Sequence, residues 1–197
     1  MHVLVGLGNP GVEHALSRHS VGRDMLLRFI RAEGFDAPEI DSKRGALVSE
    51  GTLPGSALRM TFVIPERFMN DSGSVVKRFV KSARDRSRLI VIHDDLDLPF
   101  GSIKISFGRG SGGHRGVESV SRALGSKDFT RIRIGISPES KKGSLKKPPG
   151  GEKTIRHVLG KFSPRERAAL GRTARRIREI FTSVISEGTE RAMNRFN

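Results

Sequence analysis

The chain has 197 residues, 36% of them hydrophobic, which is enough for one folded domain with a sizeable core. It contains no cysteine, which excludes disulfides, a thiol nucleophile and thiolate metal ligands. Lys and Arg number 36 against 21 Asp and Glu, and the resulting charge of +15 favours a polyanionic partner over a membrane surface or mere solubility. No apolar run is long enough to span a bilayer and no targeting segment is recognisable, so we expect a cytoplasmic protein without membrane contacts.

The first part of the chain alternates apolar strands with amphipathic helices. Residues 2–7 form a β-rich run that ends in turn residues, and they predict the first strand. A helix is expected to begin at Ser20 as its cap and to end at Gly34. Its apolar residues recur on one helical stripe: Val21, Met25, Leu26, Phe29 and Ile30. Two strands are expected next, at residues 44–50 and 57–64.

The middle of the chain continues this alternation. A second helix is expected from Asn70 or Asp71. Its apolar residues are Val75, Val76, Phe79 and Val80. Residues 89–93 form a continuous apolar run of the kind found in buried strands of parallel sheets. Further strands are expected at residues 103–107 and 131–136.

The remaining segments contain two loops and two helices. A glycine-rich loop at residues 108–116 leads to a helix with an apolar side, and Ser163-Pro164-Arg165-Glu166 is typical of the start of another that runs to about Glu187. Residues 138–153 carry five lysines with Pro and Gly and cannot bury a face, so they predict a flexible basic loop. Without repeats or linkers, the pattern predicts one α/β domain over residues 1–197, with a twisted, mixed, largely parallel sheet flanked by helices.

The segment from Gly6 to Gly11 fits the GxGxxG spacing of dinucleotide-binding loops. Pro10, however, fixes the backbone and removes an N–H where such a site needs donors. The next helix is expected only near Ser20, too far along the chain for its N-terminus to meet the loop. We therefore do not interpret this segment as a dinucleotide site, and we expect no cofactor.

Several short motifs, taken together and in order, resemble the bacterial-type peptidyl-tRNA hydrolase family. They cover most of the chain: Gly6–Gly11, Arg18-His19, Phe68-Met69-Asn70 with Ser72-Gly73, His93–Pro99, Gly112–Gly116 and Arg131–Gly135, with weaker matches at Val158–Phe162 and Ala192–Arg195. Each motif is short, and it is the ordered set that carries the resemblance. The resemblance implies that the chain hydrolyses the ester joining a peptide to the 3′ end of a tRNA.

Hydrolysis of such an ester needs a deprotonated water and donors for the developing oxyanion. His19 has the side chain whose ordinary pKa lies near neutrality, and Asp94 follows the apolar run. The resemblance assigns catalysis to His19 and Asp94, with the carboxylate holding the imidazole as in a triad. The alternative is a surface histidine and a helix-capping aspartate. The histidines form no HExxH-type cluster, so no metal is expected.

The resemblance also implies a set of substrate-binding side chains around this pair. They are Asn9, Asn70, Phe68, His14 and Arg115. Asn9 has the alternative role of a turn residue and Asn70 that of a helix cap. His14 stands where the family often has Tyr. Arg115 stands where it generally has Asn, and a guanidinium has donors but no acceptor, which puts the positioning of water by this residue in doubt.

Contacts with tRNA phosphates are implied for Lys104, Arg131 and Arg133. Many relatives carry a second basic residue after Lys104 where this chain has Ser106, and the lysine-rich loop is a candidate for compensating that loss. The absence of Trp and Tyr favours phosphate contacts over base stacking. We therefore expect a monomeric, metal-independent esterase acting on peptidyl-tRNA. The alternative is a non-catalytic RNA-binding relative of the splicing-helper type.

Overall fold

The structure, a computed structural model, describes residues 1–140 and 143–197. The strands are β1 (His2–Gly6), β2 (Glu39–Asp41), β3 (Ala46–Thr52), β4 (Arg59–Pro65), β5 (Leu89–Pro99), β6 (Ile103–Phe107) and β7 (Thr130–Ser137). The helices are α1 (Val21–Ala32), α2 (Ser72–Val76), α3 (Ala83–Ser87), α4 (Arg115–Leu124), α5 (Gly151–Leu159), α6 (Pro164–Glu187) and α7 (Thr189–Phe196). Across the described residues, no helix combines the length and the apolar character needed to cross a membrane.

The strands form one mixed sheet in the order β2-β3-β4-β1-β5-β7-β6. The four central strands, β4, β1, β5 and β7, run parallel, and the outer strands β2, β3 and β6 pair antiparallel. This arrangement confirms the predicted α/β class with a largely parallel mixed sheet. The strands that were predicted from apolar runs, including β1, β5 and β7, are the buried centre of it.

Two hydrophobic clusters cover the two faces of the sheet. Because successive residues of a strand point to opposite faces, Leu4 of β1 belongs to one cluster and its neighbours Val3 and Val5 to the other. Residues of α1 and α6 complete the first cluster, and residues of α2 and α4 complete the second. The sheet is therefore shielded by helices on both faces.

The start of α1 lies unusually close to the sheet. A Cβ added to Gly22 would lie 2.2 Å from the carbonyl oxygen of Ile92 and 2.8 Å from that of Leu7. Only glycine permits this approach, since real Cβ atoms do not come so near a carbonyl oxygen. The contact fixes the residues just before α1, including His19, at the carboxyl ends of β1 and β5.

Two predicted helix starts differ from the structure in detail. Ser20 lies at the N-cap position of α1, but its hydroxyl accepts no helix amide and instead accepts from the Ser17 hydroxyl at 3.1 Å. The second predicted helix is shorter than expected: a 3-10 turn precedes α2, and α2 ends at Val76. Phe79 and Val80 are buried beyond that end. The spacing of the apolar residues therefore predicted a helix at positions where the chain forms a turn.

The predicted end of the loop at residues 138–153 is wrong, because residues 151–153 already form the first turn of α5. None of the residues of α5 is fully buried. Its sequence therefore lacks the long stripe of apolar residues that predicts a helix packed on the core. Lys141 and Lys142 of the predicted loop lie outside the described residues. The helices α3 and α7 and the three-residue strand β2 were also not predicted.

The outer edge of the sheet is closed by a side chain. β6 is an edge strand, and the backbone N–H of its central residue Ile105 donates to Asn197 Oδ1 at 2.8 Å. Asn197 Nδ2 donates in return to the Ile105 carbonyl at 2.9 Å. The Asn197 amide thus pairs with Ile105 much as a residue of another strand would.

Candidate active site

A cleft of about 670 Å³ opens at the carboxyl ends of β1 and β5. Ligands of open α/β sheets commonly bind at this end of the strands, because the loops there are free to vary. The loops after β1, β4 and β6, residues 94–96 of β5, the start of α4 and one side of α5 form its walls. The predicted residues that line it are Asn9, His19, Phe68, Asn70, Asp94 and Arg115.

His19 and Asp94 meet at the floor of this cleft. His19 Nδ1 lies 3.0 Å from both carboxylate oxygens of Asp94, and an ionised carboxylate only accepts, so Nδ1–H is the donor. Burial lowers the pKa of His19, but the Asp94 charge and hydrogen bond outweigh it, and the pKa stands above its ordinary value of 6.5. With its hydrogen on Nδ1, the neutral ring keeps the lone pair on Nε2.

His114 holds the same carboxylate from the other side. Its Nε2 donates to Asp94 Oδ1 at 2.8 Å. Its Nδ1 accepts from the backbone N–H groups of Gly116 and Val117, at 3.1 and 3.2 Å, and caps α4. Those two amides fix the tautomer of His114, because a nitrogen that accepts from them cannot carry a hydrogen.

Asp94 is consequently an ionised, nearly inaccessible acceptor with two imidazole donors. Burial alone would raise its pKa, but the two histidines hold the pKa of the Asp94 carboxyl well below its usual range. The side chain of Asp94 is only 3% exposed. The alternative interpretation of Asp94 as a helix cap is wrong, because the residue lies within β5.

Ligand atoms of His19, Asp94 and His114 all lie within 4.8 Å of one another, which raises the question of a metal site. A metal needs a lone pair on each histidine nitrogen it binds. His114 Nε2 carries a hydrogen, since Nδ1 is occupied by the α4 amides. One imidazole and one carboxylate are fewer ligands than zinc sites use. The cluster is better described as a hydrogen-bond network.

Two asparagines line the cleft in different ways. Asn9 is buried, and its Oδ1 accepts from the backbone N–H of Met69 at 2.8 Å, so its NH₂ group remains for other partners. Asn70 is exposed in the 3-10 turn before α2. Asp71, not Asn70, occupies the N-cap position of α2, so the capping alternative for Asn70 is wrong.

Phe68 and His14 lie at the rim. Phe68 is 62% exposed although it is a large apolar side chain, and it lines the cleft. The His14 ring packs edge-on against the Phe68 ring, with 6.3 Å between their centroids. His14 does not line the cleft itself, and its contact with the site in the structure is through Phe68.

Comparison with known proteins identifies the family. The sequence profile described as "Peptidyl-tRNA hydrolase" matches residues 3–197. The chain belongs to this family. It is 37% identical to a peptidyl-tRNA hydrolase of Herpetosiphon aurantiacus, covering 100% of this chain and 90% of that protein. It is 38% identical to one of Mycobacterium tuberculosis, covering 98% and 95%. The crystal structure of peptidyl-tRNA hydrolase from Acinetobacter baumannii superposes with a TM-score of 0.86 at 27% identity, covering 100% and 94%.

Arg115 is the first residue of α4 and lines the cleft. Its side chain is exposed, but its charge acts on the catalytic centre by lowering the pKa of His19. The positive charge of Arg115 therefore contributes to the electrostatic potential inside the cleft.

The three residues expected to contact phosphates differ in their availability. Lys104 is exposed on β6, beside Arg133 of β7 in the antiparallel pair. Arg133 donates through Nε to Asp95 Oδ2 at 2.7 Å, so it is half-buried in an ion pair. Arg131 is only 2% exposed, so its side chain presents almost no surface to a phosphate in this conformation, and its contact with tRNA stays a prediction.

Two features of the cleft were missed from the sequence. His114 appeared only as part of a glycine-rich motif, and nothing local shows that it reaches Asp94, twenty residues away. The other is the apolar wall that α5 provides, with Ile155 and Leu159 about half exposed to the cleft. The i, i+4 spacing of these two residues was the available signal for it.

Proposed function

We propose that the chain is a peptidyl-tRNA hydrolase that cleaves the ester between a peptide, or another N-blocked aminoacyl group, and tRNA. The observation that carries the proposal is the contact of His19 Nδ1 with Asp94 at 3.0 Å, which leaves Nε2 of the neutral ring as the proton acceptor, while His114 holds the carboxylate from the other side. An imidazole held in this way, in a cleft that also presents amide donors, is the arrangement that ester hydrolysis needs.

In this proposal His19 takes a proton from water through Nε2 as the water attacks the ester carbonyl. The resulting imidazolium is stabilised by Asp94, which keeps its negative charge and its hydrogen bond to Nδ1–H throughout. The bond between the carbonyl carbon and the 3′ oxygen of the tRNA then breaks, and the imidazolium returns its proton to that oxygen, which releases the peptide acid and the free tRNA. The free NH₂ groups of Asn9 and Asn70 are the donors for the developing oxyanion. One such donor typically contributes about 2.7 to 4 kcal/mol to the stability of the transition state.

The apolar wall of the cleft fits the peptide part of the substrate. Ile155 and Leu159 of α5 line the same cleft as Phe68, and all three are exposed apolar side chains. Covering such exposed side chains with an apolar group removes their apolar surface from water, which favours binding. We propose that peptide side chains next to the ester bind between α5 and Phe68.

The tRNA part of the substrate is proposed to contact Lys104 and Arg133. The net charge of +15 supports binding to a polyanion through release of its counterions. Lys104 is exposed, and Arg133 offers the part of its guanidinium that Asp95 leaves free. We further propose that the chain acts as a single-domain monomer in the cytoplasm.

The non-catalytic alternative is less well supported. A protein that binds RNA without cleaving it has no use for a buried carboxylate with two imidazole donors, which costs desolvation energy to maintain. The similar proteins of Herpetosiphon aurantiacus and Mycobacterium tuberculosis are both named peptidyl-tRNA hydrolase. We therefore retain hydrolysis as the single proposed function.

The direct test is hydrolysis of N-acetyl-aminoacyl-tRNA by the purified protein. We expect turnover by the wild type and a fall in kcat of roughly 10² to 10⁴ in His19→Ala, because general-base catalysis contributes about that much. His2→Ala is a matched control, since His2 lies at the opposite end of β1 from the cleft. Normal turnover by His19→Ala, or no turnover by the wild type, would refute the proposal.

A further inference from the structure

Arg115 is a cation at the edge of the cleft without a counter-charge. Within residues 1–140 and 143–197 it has no hydrogen-bond or ion-pair partner. Other arginines near the site are paired: Arg18 donates to Glu166 at 3.0 Å, and Arg133 to Asp95 at 2.7 Å. Arg115 therefore presents all of its donors to whatever enters the cleft.

The start of α4 strengthens this positive region, although two of its first three amides are already used. The N-terminus of a helix carries a partial positive charge. The N–H groups of Gly116 and Val117, which would ordinarily bind an anion there, already donate to His114 Nδ1. Arg115, through its guanidinium and its own backbone N–H, is consequently the residue that offers donors to an anion at this end of α4.

The position of Arg115 also limits which anion it contacts. The side chain is exposed at the mouth of the cleft, whereas the reacting ester must lie at the floor, next to His19. The charge of Arg115 lowers the pKa of His19, yet no hydrogen bond joins the two side chains among the described residues, whereas Asp94 binds His19 at 3.0 Å. An exposed guanidinium that is not bonded to the imidazole fits an anion at the mouth of the cleft better than an oxyanion at its floor.

In the proposed substrate, the permanent anion nearest the ester is the phosphate on the 5′ oxygen of the terminal nucleotide, separated from the ester by the sugar alone. A phosphate matches the planar fork of an arginine, which can donate two parallel hydrogen bonds. We propose that Arg115 binds this terminal phosphate and makes the site selective for a nucleotide over a nucleoside ester. This inference rests on the proposed function, and it assigns Arg115 a role in specificity.

The test compares two small substrates in wild type and Arg115→Gln. They are N-acetyl-aminoacyl esters of adenosine 5′-monophosphate and of adenosine, which differ only in the phosphate. We expect the wild type to favour the phosphate-bearing ester in kcat/KM by roughly tenfold to a hundredfold, the usual effect of a hydrogen-bonded charge pair. Arg115→Gln should lose this preference, mainly through KM, while its kcat stays near that of the wild type.

Arg122→Gln is the matched control, because Arg122 is an exposed arginine in the last turn of the same helix and lies outside the cleft. It should keep the full preference. A second measurement uses N-acetyl-aminoacyl-tRNA with free adenosine 5′-monophosphate or adenosine as inhibitor. The nucleotide should inhibit the wild type more strongly than the nucleoside, and this difference should disappear in Arg115→Gln alone.

The outcomes separate this inference from the proposed function. If the wild type cleaves N-acetyl-aminoacyl-tRNA but shows no preference for the phosphate in either measurement, the role of Arg115 is overturned and the hydrolase assignment stands. An equal fall in kcat for both small esters in Arg115→Gln also overturns it, because that result places the guanidinium at the ester. Failure of the wild type to cleave any of the esters overturns the proposed function itself.

Discussion

Replacing Asp94 with Asn should stop catalysis by reversing the tautomer of His19. His114 must donate from Nε2, because its Nδ1 accepts from the Gly116 and Val117 amides. The single oxygen of an asparagine at position 94 would therefore turn to His114, and its NH₂ group would face His19. His19 Nδ1 would then have to accept, which moves the ring hydrogen to Nε2 and removes the lone pair that deprotonates water.

The size of the effect follows from losing the base while keeping the fold. A wrong histidine tautomer produced by an Asp-to-Asn change lowers kcat by about 10⁴ in the serine-protease triad. We expect a fall of roughly 10³ to 10⁴ here, or about 4 to 5.5 kcal/mol of activation free energy. KM should change little, because Asp94 is buried and does not reach the substrate. Asp128→Asn, an exposed aspartate outside the cleft, is the control.

A second substitution tests the tautomer argument itself. His114→Asn removes the Nε2–H donor but keeps a side-chain oxygen that can cap α4. Combined with Asp94→Asn, it should free the amide oxygen for His19 Nδ1 and restore roughly tenfold of the lost kcat. Nitrogen NMR of the His19 ring should show its hydrogen moving from Nδ1 to Nε2 in the single variant. An unchanged tautomer, or a double variant slower than Asp94→Asn, would refute the reasoning.

Three further outcomes are expected. The Asp94 charge raises the pKa of His19, so kcat/KM should decline with falling pH from a midpoint above 6.5, and a midpoint below that value contradicts the raised pKa. Conversely, the stabilisation of the fold by protonated His19 is complete below 6.5 and is lost as pH rises through the raised pKa, which urea unfolding against pH would detect. Lys104→Ala should reduce the slope of log K for tRNA against log salt by up to about one, whereas Arg131→Gln, buried in the structure, should leave it unchanged. Gly22→Ala should destabilise the fold by about 1 to 3 kcal/mol in the same unfolding assay, because its methyl group would clash with the Ile92 carbonyl. The control Gly171→Ala should not destabilise the fold, because the space around its Cβ position is open.

The sequence predicted those elements whose own residues create the signal. The start of α6 is an example: Ser163 Oγ accepts from the Glu166 N–H, and Glu166 accepts in return from the Ser163 N–H, as the four-residue pattern indicates. Helix α5 gave a weaker signal, the spacing of Ile155 and Leu159, because these two apolar residues line a cleft instead of the core. Local patterns record what a segment buries, so they are weakest where a segment is built to bind something else.

The sequence predicted which residues form the site better than it predicted the hydrogen bonds between them. Resemblance to a family supplied His19 and Asp94, but the second hydrogen bond to Asp94, from His114, depends on how loops from distant parts of the chain meet. Arg131 shows the same limit. The alternation of Arg131 and Arg133 places both on one face of β7, yet the lateral neighbours of Arg131, Val91 and Ser106, are themselves buried. Whether a strand face meets water is decided by what packs over it, which strand periodicity does not report.

The pairing of Asn197 with Ile105 bears on how the protein behaves at high concentration. An edge strand with free N–H and C=O groups is a template on which another chain can add a strand, and such additions lead to aggregation. The Asn197 amide occupies the donor and the acceptor of Ile105, at the middle of β6, leaving only short stretches of free edge on either side. Replacing the Asn197 side chain should leave catalysis unchanged, because it lies outside the cleft, but it should expose the N–H and C=O of Ile105 to another chain. Resistance to aggregation therefore depends in part on this one amide.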